Sequence, residues 1–171
     1  MMVKLVIGVI VGLACVAGLT LLIGFLLPAS RTGQHDRVID VSPAALSAVI
    51  LDRASQPQWR ADLAKVDIKS ATQWTETTER GEVIAFELTS KEANRITMRF
   101  ASSYGYHGQW EGRLNPTPSG GTHIFVTEQA TTPAPIGRIL ARLFFNPDAF
   151  ARQYLDALAA ETQRRQTGET R

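Results

Sequence analysis

The residue best placed to do chemistry in this 171-residue sequence is Glu128. From Thr122 to Thr131 the chain reads in period two, so Ile124, Val126 and Glu128 share one face of a strand, and Glu128 is the one carboxylate that this places on the inward face. A hairpin turning at Gly120 and Gly121 sets Gly112 against Val126 and Trp110 against Glu128. A carboxylate held there loses hydration, so either its pKa rises or a cation compensates it. Arg138, just past Pro135, and Arg60 are the candidate cations. With a partner, Glu128 ties the last strand to the following helix as a buried ion pair; without one, it is an acid or base. Trp59 and Arg60, following Pro57, form a second candidate site. The indole either plugs one end of the core, with the guanidinium over it or on a carboxylate, or it gates a ligand.

Other chemistries leave no trace. No G-x-S-x-G, Walker loop or G-x-G-x-x-G occurs, and Gly105, Gly108 and Gly112 have the wrong spacing for a phosphate loop. His35, His107 and His123 are the only histidines. The hairpin sets the last two roughly 25 Å apart at about 3.3 Å per residue, too far to share a metal ion. Neither a metal nor a cofactor is expected. Eighteen Lys and Arg against sixteen Asp and Glu leave a net charge of +2, and the arginines near the C-terminus are interleaved with Asp148, Asp156 and Glu161. That is a solvated face, not a nucleic-acid patch.

These residues need elements to position them, and the chain divides sharply. Leu5 to Leu27 contains no charge, and a helix of that length, at about 1.5 Å per residue, crosses a hydrocarbon core. The run is too long, and its end at Pro28, Ala29 and Ser30 too poor a cleavage site, for a removed leader. The expectation is an uncleaved single-pass anchor over residues 1–27, a linker over 28–34, a folded domain over 35–165 and a disordered tail over 166–171. Cys15 sits inside the apolar run as a small membrane-helix residue, and Gly8 with Gly12 permits a weak homodimer through close helix pairing. Lys4 flanks one end and Arg31 with Arg37 the other, so the positive-inside rule chooses no side.

The domain opens with a strand over Arg37 to Val41, then a helix capped by Ser42 with Pro43 in its first turn, then a short helical piece from Gln58 to Leu63. Val66 to Thr132 reads in period two: Ile84, Phe86 and Leu88 share a face, as do Ile96, Met98 and Phe100, then Tyr106, Trp110 and Leu114. A long amphipathic segment, Pro135 to Gln163, follows. Ile136, Ile139, Leu140, Leu143 and Phe144 form its apolar face toward the sheet, and Asn146, Pro147 and Asp148 mark a kink or restart.

Pro57 with Trp59 and Arg60, the Trp74, Thr75, Glu76 stretch, Gly108 with Trp110, and the run from Gly120 to Arg138 ahead of a helix with Phe144 and Phe145 carry a resemblance. In these the chain resembles the SRPBCC superfamily, the helix-grip group of START-type lipid-transfer, pollen-allergen-like and polyketide cyclase or dehydrase proteins. Ala134 departs from it, standing where the subgroup has a polar residue. The resemblance implies an α+β fold in which a curved antiparallel sheet wraps a long C-terminal helix around an apolar cavity. Phe86, Met98, Phe100, Trp110, Val126 and Glu128 would line that cavity from the sheet, and Leu140, Leu143 and Phe144 from the helix. Its ligand would be a lipid, polyketide or isoprenoid-like molecule. Binding or transfer beside a membrane is favoured over cyclase-type catalysis or a purely structural role, because few polar groups project inward.

Overall fold

The computed structural model describes residues 2–168. Its order is α1 (Met2–Leu26), β1 (Ser30–Ile39), α2 (Pro43–Leu51), a 3-10 turn (Arg53–Ser55), α3 (Gln56–Trp59), β2 (Leu63–Ile68), β3 (Gln73–Thr78), β4 (Val83–Lys91), β5 (Arg95–Ser102), β6 (His107–Pro116), β7 (Thr122–Thr131), α4 (Pro135–Phe144) and α5 (Pro147–Thr167). The seven strands form one sheet in the order β1-β7-β6-β5-β4-β3-β2. Every pairing is antiparallel. Hairpins join β2 through β7 in sequence, and β1 closes the far edge on β7.

The helices start where local chemistry starts them. Ser42 Oγ accepts from Ala45 N at 3.3 Å ahead of Pro43, and α2 buries Leu46, Val49 and Ile50. Asn146 Oδ1 accepts from Ala149 N at 3.1 Å ahead of Pro147, and α5 buries Ala151, Leu155 and Leu158 in the concave side of the sheet. They meet Ile39, Trp74, Ile96, Met98, Trp110, Leu114, Ile124 and Val126 there in one core. Each fully buried leucine of that set contributes about 1.5 to 3 kcal/mol through apolar area removed from water. This is the expected α+β helix-grip architecture: seven antiparallel strands around a long C-terminal helix.

Four expectations give way to the structure. The strand expected at residues 37–41 begins at Ser30, so most of the supposed linker is sheet. Its polar residues hid it, because an edge strand pairing on one side needs no continuous apolar face. The helical piece expected over 58–63 is α3, ending at Trp59, and Leu63 already begins β2. Gln166 and Thr167 complete α5, which Gly168 ends in the left-handed conformation, whereas the rest of the expected tail, 169–171, lies outside the described residues.

The largest change concerns the long segment. The break at Asn146 is a full restart, with Phe145 extended (φ −130, ψ 124), so α4 need not follow the direction of α5. Leu140, Leu143 and Phe144, expected to face the sheet, are 50%, 69% and 78% exposed. What holds α4 is α1. A Cβ on Gly24 would stand 2.5 Å from Pro135 O, so the two helices touch backbone to backbone. Arg138 reaches back to α1, with Nη1 donating to Leu27 O at 3.3 Å and Phe25 O at 3.4 Å. Arg31 closes the other end, donating to Ala141 O at 2.7 Å and Phe145 O at 2.9 Å. Both arginines thus place a cation on carbonyls at the C-terminal end of a helix, where the macrodipole favours it.

Candidate functional site

The strand registers put one row of side chains across the concave face: Leu88, Met98, Trp110 and Glu128 lie on four successive strands, with Gly33 beyond them on β1. Two glycines make the row fit. A Cβ on Gly112 would meet the Trp110 ring at 2.6 Å, so the indole lies over Gly112; a Cβ on Gly33 would meet the Pro147 carbonyl carbon at 2.6 Å, so the start of α5 passes directly over β1. The neighbouring row holds Trp74, Phe86 and Phe100. Phe86 stacks on Trp74 at 5.3 Å and tilts on Phe100 at 5.7 Å. Met98, Phe100, Trp110 and Val126 are buried among these neighbours and Phe86 is half-buried. Leu140, Leu143 and Phe144 lie outside the grip altogether, because α4 is docked on α1.

At one end of the grip sits an ionic cluster. Glu76 on β3 is 2% exposed and accepts from Trp74 Nε1 at 3.0 Å and from Arg60 Nη1 at 3.0 Å. Arg60, which ends α3, also donates to Asp62 Oδ2 at 2.7 Å and Gln56 Oε1 at 2.9 Å. Burial opposes its charge, but Glu76 and Asp62 outweigh that and raise its pKa. Its guanidinium lies 5.6 Å from the Tyr154 ring, within cation–π range. Arg60 therefore pairs with carboxylates, one of the two roles expected of it.

Glu128 has neither expected cation to itself. Arg138 is turned to the end of α1, and Arg60 spends its donors on Glu76, Asp62 and Gln56. Among the described residues the half-buried Glu128 carboxyl has no hydrogen-bond partner. Burial pushes its pKa up; the charge of Arg60 pulls it down and that of Glu76 adds to the rise, leaving it at about 7. Tyr154 is held well above the usual tyrosine range by burial, with Arg60 opposing and Glu76 and Asp62 adding, so it stays a neutral phenol. Its ring meets Trp110 edge-on at 6.0 Å and Trp59 at 6.2 Å. Tyr106 is raised likewise by burial, Glu82 and Glu128.

Trp59 forms a wall. A cleft of about 80 Å³ lies between the end of α3 and the side of α5, lined by Trp59, Arg60, Asp62, Phe150, Tyr154 and Ala157 among others. A second, of about 110 Å³, lies along Trp59, Ala157 and Ala160 toward Glu161 and Arg164. The Trp59 Nε1 is buried without a hydrogen-bond partner among the described residues. An unpaired buried N–H is costly in a folded protein, and this one is sealed from solvent beside the cleft.

Sequence reasoning missed Glu76, which period two should have caught: it stands two residues from the inward Trp74 and so shares its face. The claim that Glu128 is the one inward carboxylate is therefore corrected. Tyr154 continues an apolar face with Phe150 and Leu158 at i, i+4 and i+8, and only the fold shows Arg60 beneath its ring. His107 pairs with Thr131 and His123 with Asn115, at opposite ends of the β6–β7 hairpin. Among the described residues no group of three or more His, Cys, Asp or Glu side chains is arranged to hold a metal ion.

No family model and no curated protein sequence matches the chain. Solved structures do. A START superfamily protein from Mycobacterium smegmatis superposes with a TM-score of 0.63 at 14% identity, over 78% of this chain and 97% of its own. An aromatase/cyclase from a Streptomyces species gives 0.64 at 16% identity, over 80% and 95%. Norcoclaurine synthase from Thalictrum flavum, in complex with a transition state analogue, gives 0.64 at 12% identity, over 80% and 96%. At these identities the likeness establishes a shared START-type helix-grip fold, and function must be argued from the site.

Proposed function

We propose that the domain binds a hydrophobic small molecule bearing one polar group, of the lipid, polyketide or isoprenoid kind, beside a membrane that α1 crosses once. The observation that carries this reading is the cleft between Trp59 and α5 at one end of an apolar grip, with two groups behind its wall that lack a hydrogen-bond partner among the described residues: Trp59 Nε1, sealed from solvent, and the Glu128 carboxyl, linked to the cleft through Trp110 and Tyr154. Opening the cleft would let a ligand headgroup reach the indole N–H while its apolar body replaced side-chain contacts.

The cleft as it stands, about 80 Å³, holds two or three waters at about 30 Å³ each, against roughly 300 to 1,000 Å³ in sites for drug-sized ligands. Uptake therefore requires Trp59 and α3 to part from Tyr154 and Phe150. That is the gating role for Trp59; α3 is a single turn joined to the 3-10 turn before it and is held at its ends by Gln56 on Ile50 O and by Arg60. The helix α1 supports the setting: Val6–Leu26 is long and apolar enough to cross a membrane.

A second reading is favoured by one observation. A carboxyl with a pKa of about 7 whose charge reaches the neutral phenol of Tyr106 suits acid–base catalysis, and two of the structural neighbours are, by name, a cyclase and a synthase. Native mass spectrometry of the full chain extracted in mild detergent tests the binding reading. A bound molecule of defined mass, released unchanged by organic solvent, supports it; a chemically altered product released after incubation favours catalysis; an empty chain that takes up neither a fatty acid nor an isoprenoid alcohol counts against both.

A further inference from the structure

Four large apolar side chains of α4 face solvent on a single stripe. Ile136, Leu140, Leu143 and Phe144 are spaced i, i+4, i+7 and i+8, and none is buried by the domain. Such a stripe on a ten-residue helix marks a contact surface. Its occupant follows from where α4 is fixed. The apolar span Val6–Leu26 is 21 residues, about 32 Å at about 1.5 Å per residue, close to the roughly 30 Å of a hydrocarbon core. Gly24, where α4 touches α1 backbone to backbone, is therefore within one helical turn of the hydrocarbon edge. Arg138 reinforces the contact by donating to Phe25 O and Leu27 O at the same level. Arg142, exposed on the face of α4 opposite the stripe, supplies a cation on the helix's polar side.

We propose that α4 is an interfacial helix that lays Ile136, Leu140, Leu143 and Phe144 into the headgroup–acyl boundary of the bilayer beside the end of α1. This rests on the reading of α1 as a membrane span. It also deepens the proposed function, because Phe145, at the end of α4, packs 5.7 Å from Phe150 in the cleft wall. The surface in contact with lipid is thereby continuous with a wall of the cleft, and an apolar ligand can pass between them without crossing water.

The test uses the full chain with Cys15→Ser, reconstituted into vesicles of equal parts phosphatidylcholine and phosphatidylglycerol. Single cysteines carry a nitroxide at Leu13→Cys in the span, at Leu143→Cys or Phe144→Cys on the stripe, and at Ser119→Cys in the β6–β7 turn. All are exposed positions, so the labels disturb no core. Collision with lipid-soluble oxygen is compared with collision with a water-soluble nickel chelate. The proposal expects oxygen to dominate at the stripe as in the span, and nickel to dominate at Ser119→Cys. Nickel access at Leu143→Cys with a lipid-exposed Leu13→Cys overturns it while leaving the anchor intact. Nickel access at both overturns the proposal together with the anchor. Protection of Leu143→Cys from both reagents also overturns it, by showing the stripe covered by protein such as a second copy of the chain. Oxygen dominance at the stripe with nickel access at Leu13→Cys removes the anchor and overturns the proposal with it, because the depth of α4 is set by the span.

Discussion

Trp110 and Glu128 face each other across the β6–β7 pair, and the indole, folded over Gly112, leaves the carboxyl without a partner. The ion pairs at this end of the grip belong to Arg60, which holds Glu76 and Asp62. Glu128 is the group left over, and its properties follow from that.

The first prediction is a pH dependence. In the folded protein Glu128 has a pKa raised from 4.5 to about 7, so the native state holds its proton where the unfolded chain has lost it. The stability this contributes is complete below about pH 4.5 and is lost as pH rises through about 7. Glu128→Gln, which mimics the protonated form, should be more stable than the parent at pH 8 by about 1 to 3 kcal/mol and nearly equal at pH 4. Paired chemical denaturation at the two pH values measures this; destabilisation at pH 8 would reveal an ion partner for Glu128.

A second prediction concerns Arg60 and Glu76. Removing either charge strands the other in the core, so Glu76→Gln and Arg60→Met should each cost about 3 to 5 kcal/mol. The double variant should recover part of that. A double-mutant cycle with purely additive losses would show that the two side chains do not depend on each other.

Trp59 makes a third case. Its ring is half-buried against Tyr154 and forms a cleft wall, not the centre of the core. Trp59→Ala should therefore cost about 1 to 3 kcal/mol, below the about 3 to 5 typical of a fully buried tryptophan. Uptake of a fluorescent fatty acid should change in rate as well as extent. An unchanged rate would remove Trp59 from the gate.

The joint between α1 and α4 yields a fourth. Gly24→Val drives a side chain into the Pro135 backbone, and Arg138→Met withdraws the donor from the end of α1. In either variant the amides of α4 should exchange with deuterium at least tenfold faster, while those of β5 and β6 should not change. Equal protection would mean that α4 is held by something other than α1.

Much of this was legible in the residues. Ile124, Val126 and Glu128 at every second position, with a turn at Gly120 and Gly121, set the register that brings Trp110 to Glu128. Ser42 with Pro43 and Asn146 with Pro147 mark helix starts by chemistry alone. Two things were not legible. The apolar stripe of α4 has the same pattern whether it faces a sheet or lipid, because periodicity reports that a face is apolar and not what covers it. Arg60 and Arg138 were both reasonable partners for Glu128 by sequence distance, but a guanidinium goes to the acceptors its own element brings near: Glu76 and Asp62 for one, the carbonyls of α1 for the other.

The account stands most directly on whether the cleft between Trp59 and α5 takes a ligand. Ala157 lines it on α5 and takes no part in the ionic cluster, so Ala157→Trp fills the space while leaving Arg60, Glu76 and Glu128 unsubstituted. Native mass spectra of the two full chains, prepared identically in detergent and matched for thermal stability, should show a bound apolar molecule on the parent and at least tenfold less of it on Ala157→Trp. Equal occupancy of both chains would contradict the account and put the ligand elsewhere.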